Sequence, residues 1–368
     1  MKIIFNTKKL LEKIKNIVPT DEAKQTLPIL GNVKVSIDNN IAEFVASDLE
    51  IQVTTTVDCV ADENGLFTAP AKKLLEICSV LSTYDEITMN YTGKKIDITA
   101  GKSKVSLQTI DASDYPTMDI DEESSSLSIP KKELIKLISK TSFAMAYQDA
   151  RHFLNGLHIC SQEGYLVAVC TDGHRLAKYT SRIKTDSKMS IIIPRKAITE
   201  LNRILSAFND NNEHLVDFIV SHNMIMFKIG DFILISKLIE GTYPNFNKVI
   251  PENTQSTIKI NKQILKNSLN IISKVVNQQY KGVKLTPSSN SLHLISSNTE
   301  SEIGEDIIDA SYDGDEMSIG FNISYLQDVI DIIQGESVDI CINDQNSGCI
   351  LVDESTNESI FVIMPMRV

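Results

Sequence analysis

Apolar residues recur every three or four positions in six stretches of the chain, which is the spacing of one buried face on an α-helix. Three stretches open with a short strand that leads into the helix: IIFNTKKLLEKIKNIV from Ile3, SIPKKELIKLISKTSF from Ser128 and KINKQILKNSLNIISKVV from Lys259. The other three are TAPAKKLLEICSVL, IIPRKAITELNRIL and GFNISYLQDVIDII. Each helix is predicted to begin near an asparagine or a proline, because both residue types favour a helix start.

Between these helices apolar and polar residues alternate, which predicts β-strands. The alternating segments include KVSLQTI, YLVAVC, RLAKYTS, LVDFIVS, MIMFKIG, FILISKLI, VDICI and SIFVIM. Asp172-Gly173 stands between two of them, and Asp-Gly at such a place is a strong signal of a hairpin turn. The combined pattern predicts an α+β fold, in which helices pack on antiparallel sheets.

Landmarks of these elements recur in a fixed order along the chain. They are the second-helix starts at Pro70, Pro194 and Asn322, the dipeptides Ser47-Asp48, Thr171-Asp172 and Ser297-Asn298, and the dipeptides Tyr115-Pro116 and Tyr243-Pro244. Successive members of each set are 124 to 128 residues apart. We therefore predict three repeated domains of two helices on antiparallel sheet, at residues 1–125, 126–252 and 253–368. Two polar segments, near 118–130 and 250–258, are predicted to be exposed linkers.

Composition narrows the function classes. The 368 residues carry a net charge of −12, which argues against a protein that binds nucleic acid over its whole surface, but not against a local basic patch. The six cysteines are scattered without a C-x-x-C pair, which favours buried free thiols over a disulfide or zinc framework. The N-terminus lacks the continuous apolar core of a signal peptide, and no run approaches the roughly 18 apolar residues of a membrane span. These features predict a cytoplasmic protein that binds no membrane.

Lysines lie opposite the apolar stripe of the first helix in each predicted domain. They are Lys8, Lys9, Lys13 and Lys15, then Lys131, Lys132, Lys136 and Lys140, then Lys262, Lys266 and Lys274, and the second helices add Lys72, Lys73, Arg195 and Lys196. On one helix such lysines usually form a solvated face. Their recurrence in three domains indicates a single basic surface on an acidic molecule, which suits contact with phosphates without reading of sequence.

The sequence offers no catalytic constellation. Gly101-Lys102-Ser103 lacks the glycine that a phosphate-binding loop needs five positions earlier, because Ile96 stands there. Asp172 and His174 could suggest an acid/base pair or a metal site, but the hairpin signal favours a turn and no second ligand stands nearby at metal-binding spacing. We therefore predict that the chain is not an enzyme and that it holds no metal and no cofactor.

Six motifs together resemble the family of bacterial DNA polymerase sliding clamps, the beta subunits of DNA polymerase III. They are TLPILGNV at 26–33, SDLE at 47–50, YQDARHFLNG at 147–156, TDGHRLA at 171–177, PRK at 194–196 and the near-terminal MPMR. The resemblance runs over the whole chain. It implies the DNA clamp fold, with two chains closing head to tail into a ring of six domains that encircles duplex DNA without sequence specificity. The implied partners are the replicative polymerase, the clamp loader, and other polymerases and repair factors with clamp-binding peptides.

In that family the C-terminal segment and the TDGHRL hairpin form a hydrophobic cleft for these peptides. Carried over by motif, the cleft comprises Leu154, Thr171, Gly173, His174, Arg175, Leu176, Pro244, Lys248, Val249, Val362, Ile363, Met364, Pro365, Met366, Arg367 and Val368. Lys248 stands where some relatives carry arginine, and Val368 where leucine is frequent. Such a cleft would explain the apolar segment FVIMPMRV at the end of the sequence, because this segment would form part of the cleft.

The resemblance further implies contacts to DNA and between chains. The implied DNA-contacting residues are Lys24, Lys72, Gln148, Arg151, His152, Phe153, Arg195 and Lys196. Head-to-tail closure predicts that an edge strand of the first domain meets an edge strand of the third domain of a second chain. Leu107, Val275 and Val276 are the candidate interface residues.

Two other interpretations stay open at this point. One is an enzyme acting at Asp172 and His174. The other is a monomeric interaction scaffold, which would bind peptides in the terminal cleft without encircling DNA.

Overall fold

The computed structural model describes residues 1–18, 27–120, 125–208, 214–252 and 254–367. Two residues of the predicted sites, Lys24 and Val368, lie outside these ranges.

All six predicted helices are present. They are α1 (Thr7–Lys15), α2 (Ala71–Val80), α3 (Lys131–Ser139), α4 (Arg195–Ala207), α5 (Lys262–Ile272) and α6 (Ile323–Ile332). Asn6, Asn261 and Asn322 precede α1, α5 and α6, and each side-chain oxygen accepts a hydrogen bond from a backbone N–H of the first turn. The other three helices begin directly after a proline. None of the helices in the described ranges is long and apolar enough to cross a membrane.

The strands follow the alternating segments of the sequence. Those preceding α3 are β1 (Lys2–Asn6), β2 (Asn32–Asp38), β3 (Ile41–Ser47), β4 (Ile51–Ala61), β5 (Gly65–Pro70), β6 (Glu86–Tyr91), β7 (Lys95–Ala100), β8 (Ser103–Gln108) and β9 (Ser125–Pro130). Between α3 and α5 are β10 (Gly156–Gln162), β11 (Tyr165–Thr171), β12 (Arg175–Lys184), β13 (Ser190–Pro194), β14 (Leu215–Val220), β15 (Met224–Ile229), β16 (Phe232–Lys237) and β17 (Ser256–Asn261). The last are β18 (Gly282–Ser288), β19 (Ser291–Ser297), β20 (Ile303–Asp309), β21 (Ser311–Tyr312), β22 (Ile319–Asn322), β23 (Ser337–Ile342), β24 (Cys349–Asp353) and β25 (Ser359–Ile363).

The chain folds into two compact units, residues 1–132 with 199–238, and residues 133–198 with 239–368. Both units include residues of the predicted central domain, 126–252. The three domain boundaries therefore stay predictions.

The first unit contains an antiparallel sheet in which β8-β7-β6-β1-β4-β16-β15-β14-β9 follow one another, with β2, β3 and β5 joined beside β4. Helices α1 and α2 contact each other, and their apolar stripes are buried, as Leu10, Ile14 and Leu74 illustrate. The linker prediction is wrong for residues 125–130, because their backbone pairs with β14 to form β9.

The second unit contains two antiparallel sheets, with the orders β13-β10-β11-β12-β25-β24-β23-β17-β21 and β20-β19-β18-β22. Helices α5 and α6 contact each other, and α5 also contacts β20. The second linker prediction is wrong for residues 256–258, since they belong to β17, which pairs with β23.

All six cysteines have free thiols, and Cys341 is the one that is only half-buried. Burial raises the pKa of Cys78, Cys170 and Cys349 to about 12, so these thiols stay protonated and unreactive near neutral pH.

Candidate functional site

The hairpin between β11 and β12 forms as predicted. Gly173 has φ +88°, a left-handed conformation that costs glycine little. One oxygen of the Asp172 carboxylate, Oδ1, accepts hydrogen bonds from the backbone N–H groups of His174 (2.9 Å) and Arg175 (3.0 Å). The other, Oδ2, accepts one from Arg175 Nε at 3.0 Å. The carboxylate is therefore engaged in shaping the turn, and no group of three or more potential metal-binding side chains occurs within the described ranges.

The apolar end of the chain lies beside this hairpin. Strand β25 pairs with β12, so that Leu176 stands opposite Val362. Beyond the strand, the Met364 backbone N–H donates to the His174 carbonyl at 2.8 Å. Met366 N–H donates to the Gly320 carbonyl, also at 2.8 Å, so backbone hydrogen bonds order the terminal segment as far as Met366 and keep the Met364 side chain next to the hairpin.

A pocket of about 310 Å³ opens between the hairpin, the 3-10 turn at His152–Leu154, the 3-10 turn at Phe246–Val249 and the end of β25. It is lined by Arg151, Phe153, Leu154, Thr171, Gly173, Arg175, Leu176, Pro244, Asn245, Phe246, Val249, Val362 and Met364. Leu154, Leu176 and Val362 are at most 3% exposed and belong to one buried apolar cluster. Val249 and Met364, by contrast, are 53% and 40% exposed. The pocket therefore has a buried apolar floor and an accessible apolar rim.

The pocket brings together nine of the residues predicted for the cleft: Leu154, Thr171, Gly173, Arg175, Leu176, Pro244, Val249, Val362 and Met364. Six others do not line it in the described structure: His174, Lys248, Ile363, Pro365, Met366 and Arg367. Ile363 is fully buried, and the remainder follow or adjoin lining residues along the chain. Their part in peptide binding stays a prediction.

Four lining residues were not predicted for the cleft: Arg151, Phe153, Asn245 and Phe246. The resemblance assigns the first two to DNA, whereas here they form one wall of the pocket. Nη2 of Arg151 donates to the Asp172 carbonyl at 3.3 Å, which places the guanidinium over the hairpin. Phe246 could have been found from the sequence, because it follows the Tyr243-Pro244 landmark by two residues.

Two charged networks frame the pocket. Arg151 forms an ion pair with Asp149 at 2.8 Å, and its hydrogen bonds lower the pKa of Asp149 to about 2. Arg175 is largely buried, and its guanidinium donates to Asp172, to Asp328 of α6 and to the Phe143 carbonyl. A buried arginine paired in this way has a fixed orientation, so the hairpin is held to α6.

Beneath the floor, His158 stacks on Tyr243 with ring centroids 4.4 Å apart. Burial lowers the pKa of His158 to about 4. The imidazole is therefore neutral at physiological pH, and the floor carries no charge.

The residues predicted to contact DNA occupy different elements. Lys72 is exposed on α2 in the first unit, while Gln148 and His152 are exposed in the loop that follows α3 in the second unit. Lys196 is half-buried near the start of α4. Arg195 donates to the carbonyls of Met145 and Ala146, so at least part of its role is to hold that loop in place.

The predicted interface residues lie at two sheet edges. Leu107 is buried on β8, the edge strand of the first unit's sheet. Val276 is buried and Val275 half-buried just after α5, and Val275 packs closely on Gly304 of the edge strand β20.

Comparison with known proteins adds three findings. Residues 1–119, 128–245 and 247–367 match the N-terminal, central and C-terminal domains of the DNA polymerase III beta subunit family. The chain is 33% identical over 369 residues to the beta sliding clamps of Salmonella typhimurium and Escherichia coli K12, with each protein covered in full. Among solved structures, the DNA polymerase III subunit beta of Pseudomonas aeruginosa matches with a TM-score of 0.94 and 32% identity over the full length of both chains. The sliding clamp of the same species bound to griselimycin matches with a TM-score of 0.94 and 33% identity, again over both full lengths.

Proposed function

The chain belongs to the DNA polymerase III beta subunit family and is a DNA sliding clamp, and from that premise we propose how its parts divide the work. Two copies close head to tail into a ring around duplex DNA, and the pocket beside the TDGHRL hairpin receives peptides of the proteins that the ring retains. The observation that carries this proposal is the apolar pocket of about 310 Å³, built where the hairpin meets the C-terminal strand.

The pocket favours a short peptide with apolar side chains. Its floor excludes charge, and its rim offers Val249 and Met364 to an incoming side chain. Methionine is unbranched and polarizable, so Met364 can adapt to partners of different shape. The replicative polymerase, the clamp loader, other polymerases and repair factors would each dock here by such a peptide, one after another.

A tethered polymerase needs only modest affinity for the clamp. Because the ring stays on DNA by topology, the bound polymerase remains at high effective concentration near the primer end. Contacts from Lys72, Gln148, His152 and Lys196 would touch phosphates loosely and without sequence preference, which permits sliding. The clamp itself makes and breaks no bond, and ring opening falls to a separate ATP-driven loader. Since bacterial DNA lies in the cytoplasm, we place the clamp there.

Two hydrogen bonds between helix ends within one chain suggest how two copies meet. In the first unit, Arg203 of α4 donates to the Lys15 carbonyl at the end of α1, at 2.7 Å. In the second unit, Lys140 after α3 donates to the Ile332 carbonyl at the end of α6, at 2.8 Å. Lys140 and Ile332 each lie nine residues after the first residue of α3 and α6. The residues nine positions after the first residue of α5 and α2 are Ile271 and Val80.

Ile271 and Val80 are 62% and 78% exposed, which is unusual for large aliphatic residues. Strand β20, which contacts α5, and strand β8 each leave one edge unpaired in the described sheets. Ile303 and Ile307 of β20 are 64% and 65% exposed. An exposed apolar edge strand invites pairing with another chain. We propose that β8 of one copy pairs with β20 of the next, so that Ile271 meets Val80 and two such contacts close the ring.

Primer extension tests the proposed function. The reaction would contain the replicative polymerase and clamp loader of the same bacterium, a long circular template, and either the full chain or a variant with Val249→Ala. We expect the full chain to give long products and the variant to give shorter ones. Leu215→Ala removes a similarly exposed side chain, at 56% against 53% for Val249, from β14 and should leave the products long. Long products that do not depend on the clamp would contradict the proposal.

A further inference from the structure

The frame of the open pocket occurs a second time, in the first unit. Across the β3–β4 hairpin Ser47 pairs with Gln52, just as Thr171 pairs with Leu176 across β11–β12. Ser47 and Thr171 are 124 residues apart in the sequence, and so are Gln52 and Leu176. The two hairpins therefore correspond residue for residue in spacing and in strand register.

The strand that completes the frame is repeated as well. Gln52 pairs with Ile235 of β16, as Leu176 pairs with Val362 of β25. The next backbone contact is also reproduced, because Lys237 N–H donates to the Glu50 carbonyl at 3.0 Å. In the open pocket the equivalent bond joins Met364 to His174.

The turn and the buried base of the frame follow the same plan. Asp48 Oδ1 accepts hydrogen bonds from the N–H groups of Glu50 (2.9 Å) and Ile51 (2.8 Å), in the manner of Asp172. Tyr115 is 6% exposed within an apolar cluster with Leu30 and Val45, as Tyr243 is 7% exposed in the cluster beneath the open pocket. The first unit thus repeats the hairpin, the completing strand and the buried tyrosine of the open pocket.

Two side chains distinguish this second frame. Gln52 stands where the pocket floor has Leu176, and it is only 6% exposed. Its Oε1 accepts a hydrogen bond from Met118 N at 2.7 Å, and its Nε2 donates to Met118 O at 3.2 Å. Leu49 stands where the turn of the open pocket has Gly173, at φ +74° against +88°.

Both differences act against a ligand. An apolar side chain entering over Gln52 would have to separate a buried amide from both of its partners, which is costly. Leucine is strained at a positive φ, whereas glycine is not. The geometry of the turn therefore does not explain why a leucine occupies this position. At the position of Gly173, Leu49 adds a side chain where the open pocket has none.

We propose that Gln52 and Leu49 close a second peptide cleft in the first unit, and that they thereby limit each chain to one peptide site. This inference rests on the proposed function of the open pocket. Its ligand class is the same, a short peptide with apolar side chains. A ring of two chains consequently presents two sites and not four, which sets how many partners can be bound at once.

The test is a calorimetric titration of the full-length chain with the clamp-binding peptide of the replicative polymerase from the same bacterium. We expect the wild-type chain to bind one equivalent, and the double variant Leu49→Gly/Gln52→Leu to bind two equivalents per chain. A folded double variant that binds only one equivalent would overturn the inference. A wild-type chain that binds none at the open pocket would instead count against the proposed function, so the two failures are distinguishable.

The reciprocal variant keeps the inference testable if the double variant does not fold. Leu176→Gln places the closing residue in the floor of the open pocket. We expect the folded variant to bind the clamp-binding peptide of the replicative polymerase at least tenfold more weakly than the wild type. Wild-type affinity in this variant would show that a glutamine does not close the frame.

Discussion

At the scale of single residues, the pocket depends on two positions, 173 and 175, that few other residue types could occupy. Gly173 is needed at the hairpin because a Cβ atom there would lie 3.1 Å from Arg151 Nη2 and the φ of +88° disfavours other residues. Arg175 is needed because three different acceptors surround its guanidinium. The Asp-Gly signal predicted this hairpin from sequence, whereas the role of Arg151 as a pocket wall depends on a contact that no local pattern encodes.

Gly173→Ala should therefore lower both stability and ligand affinity. The positive φ costs alanine about 1 kcal/mol, and the contact with Arg151 displaces the pocket wall. Gly164→Ala is the matched control, because Gly164 has φ +79° and no atom within 4 Å of its Cβ position. We expect both variants to lose similar free energy of unfolding in denaturant titrations, and only Gly173→Ala to bind the clamp-binding peptide of the replicative polymerase several-fold more weakly. Equal binding by both variants would contradict this role of Gly173.

The lowered pKa of His158 predicts how the free energy of unfolding depends on pH. Its pKa is lowered from the ordinary 6.5 to about 4 by burial, so between these values the unfolded chain binds a proton that the folded chain does not. The stabilisation that depends on the neutral imidazole is therefore fully present above pH 6.5, and it is lost as the pH falls from 6.5 towards 4.

Comparison of the wild type with His158→Phe isolates this effect from other acid-titrating groups. We expect the free energy of unfolding of the wild type to fall more steeply between pH 7 and pH 5 than that of the variant. A difference between the two that does not change with pH would show that His158 is not neutral by burial.

At the scale of elements, the six helices and most strands could be predicted because their apolar periodicity is strong. The errors are instructive: Ser125–Pro130 and residues 256–258 are polar enough to look like linkers, yet they are strands. Backbone hydrogen bonds to β14 and β23 form these strands, and pairing with a segment some 90 residues away is invisible in the local sequence.

The terminal segment beyond β25 is predicted to serve binding and not folding. Strand β25 ends at Ile363, so a chain truncated after Ile363 keeps its pairing with β12 and β24. Removing Met364 to Val368 takes away part of the pocket rim. We expect at least tenfold weaker binding of the clamp-binding peptide of the replicative polymerase, with the solution mass and the thermal unfolding midpoint almost unchanged. A truncated chain that fails to fold would show that the segment is structural.

At the scale of the whole molecule, the repeat spacing of 124 to 128 residues predicted three similar domains, but it could not predict closure into a ring. Closure depends on surfaces that one chain leaves exposed. Those surfaces, near β8 and β20, became visible only once the strands were placed, since exposure follows from which sheet edges remain unpaired. The sequence likewise indicated the pocket through its motifs, but not its full lining.

The interface prediction has a close control within the chain. Ile307→Asp places a charge on the edge strand β20, whereas Val60→Asp places one on β4, an inner strand that pairs with β1 at this residue. The wild-type residues are equally exposed, at 65%. We expect analytical ultracentrifugation to give one chain for Ile307→Asp and two chains for Val60→Asp. A dimer that survives Ile307→Asp would place the contact elsewhere.

The measurement that tests the central claim most directly is small-angle X-ray scattering with absolute mass on the purified full-length chain at micromolar concentration. Our account predicts the mass of two chains and a pair-distance distribution with the central depletion of a ring. A single-chain mass that persists as the concentration rises would contradict encirclement of DNA, and would favour a monomeric scaffold that binds peptides in the same pocket.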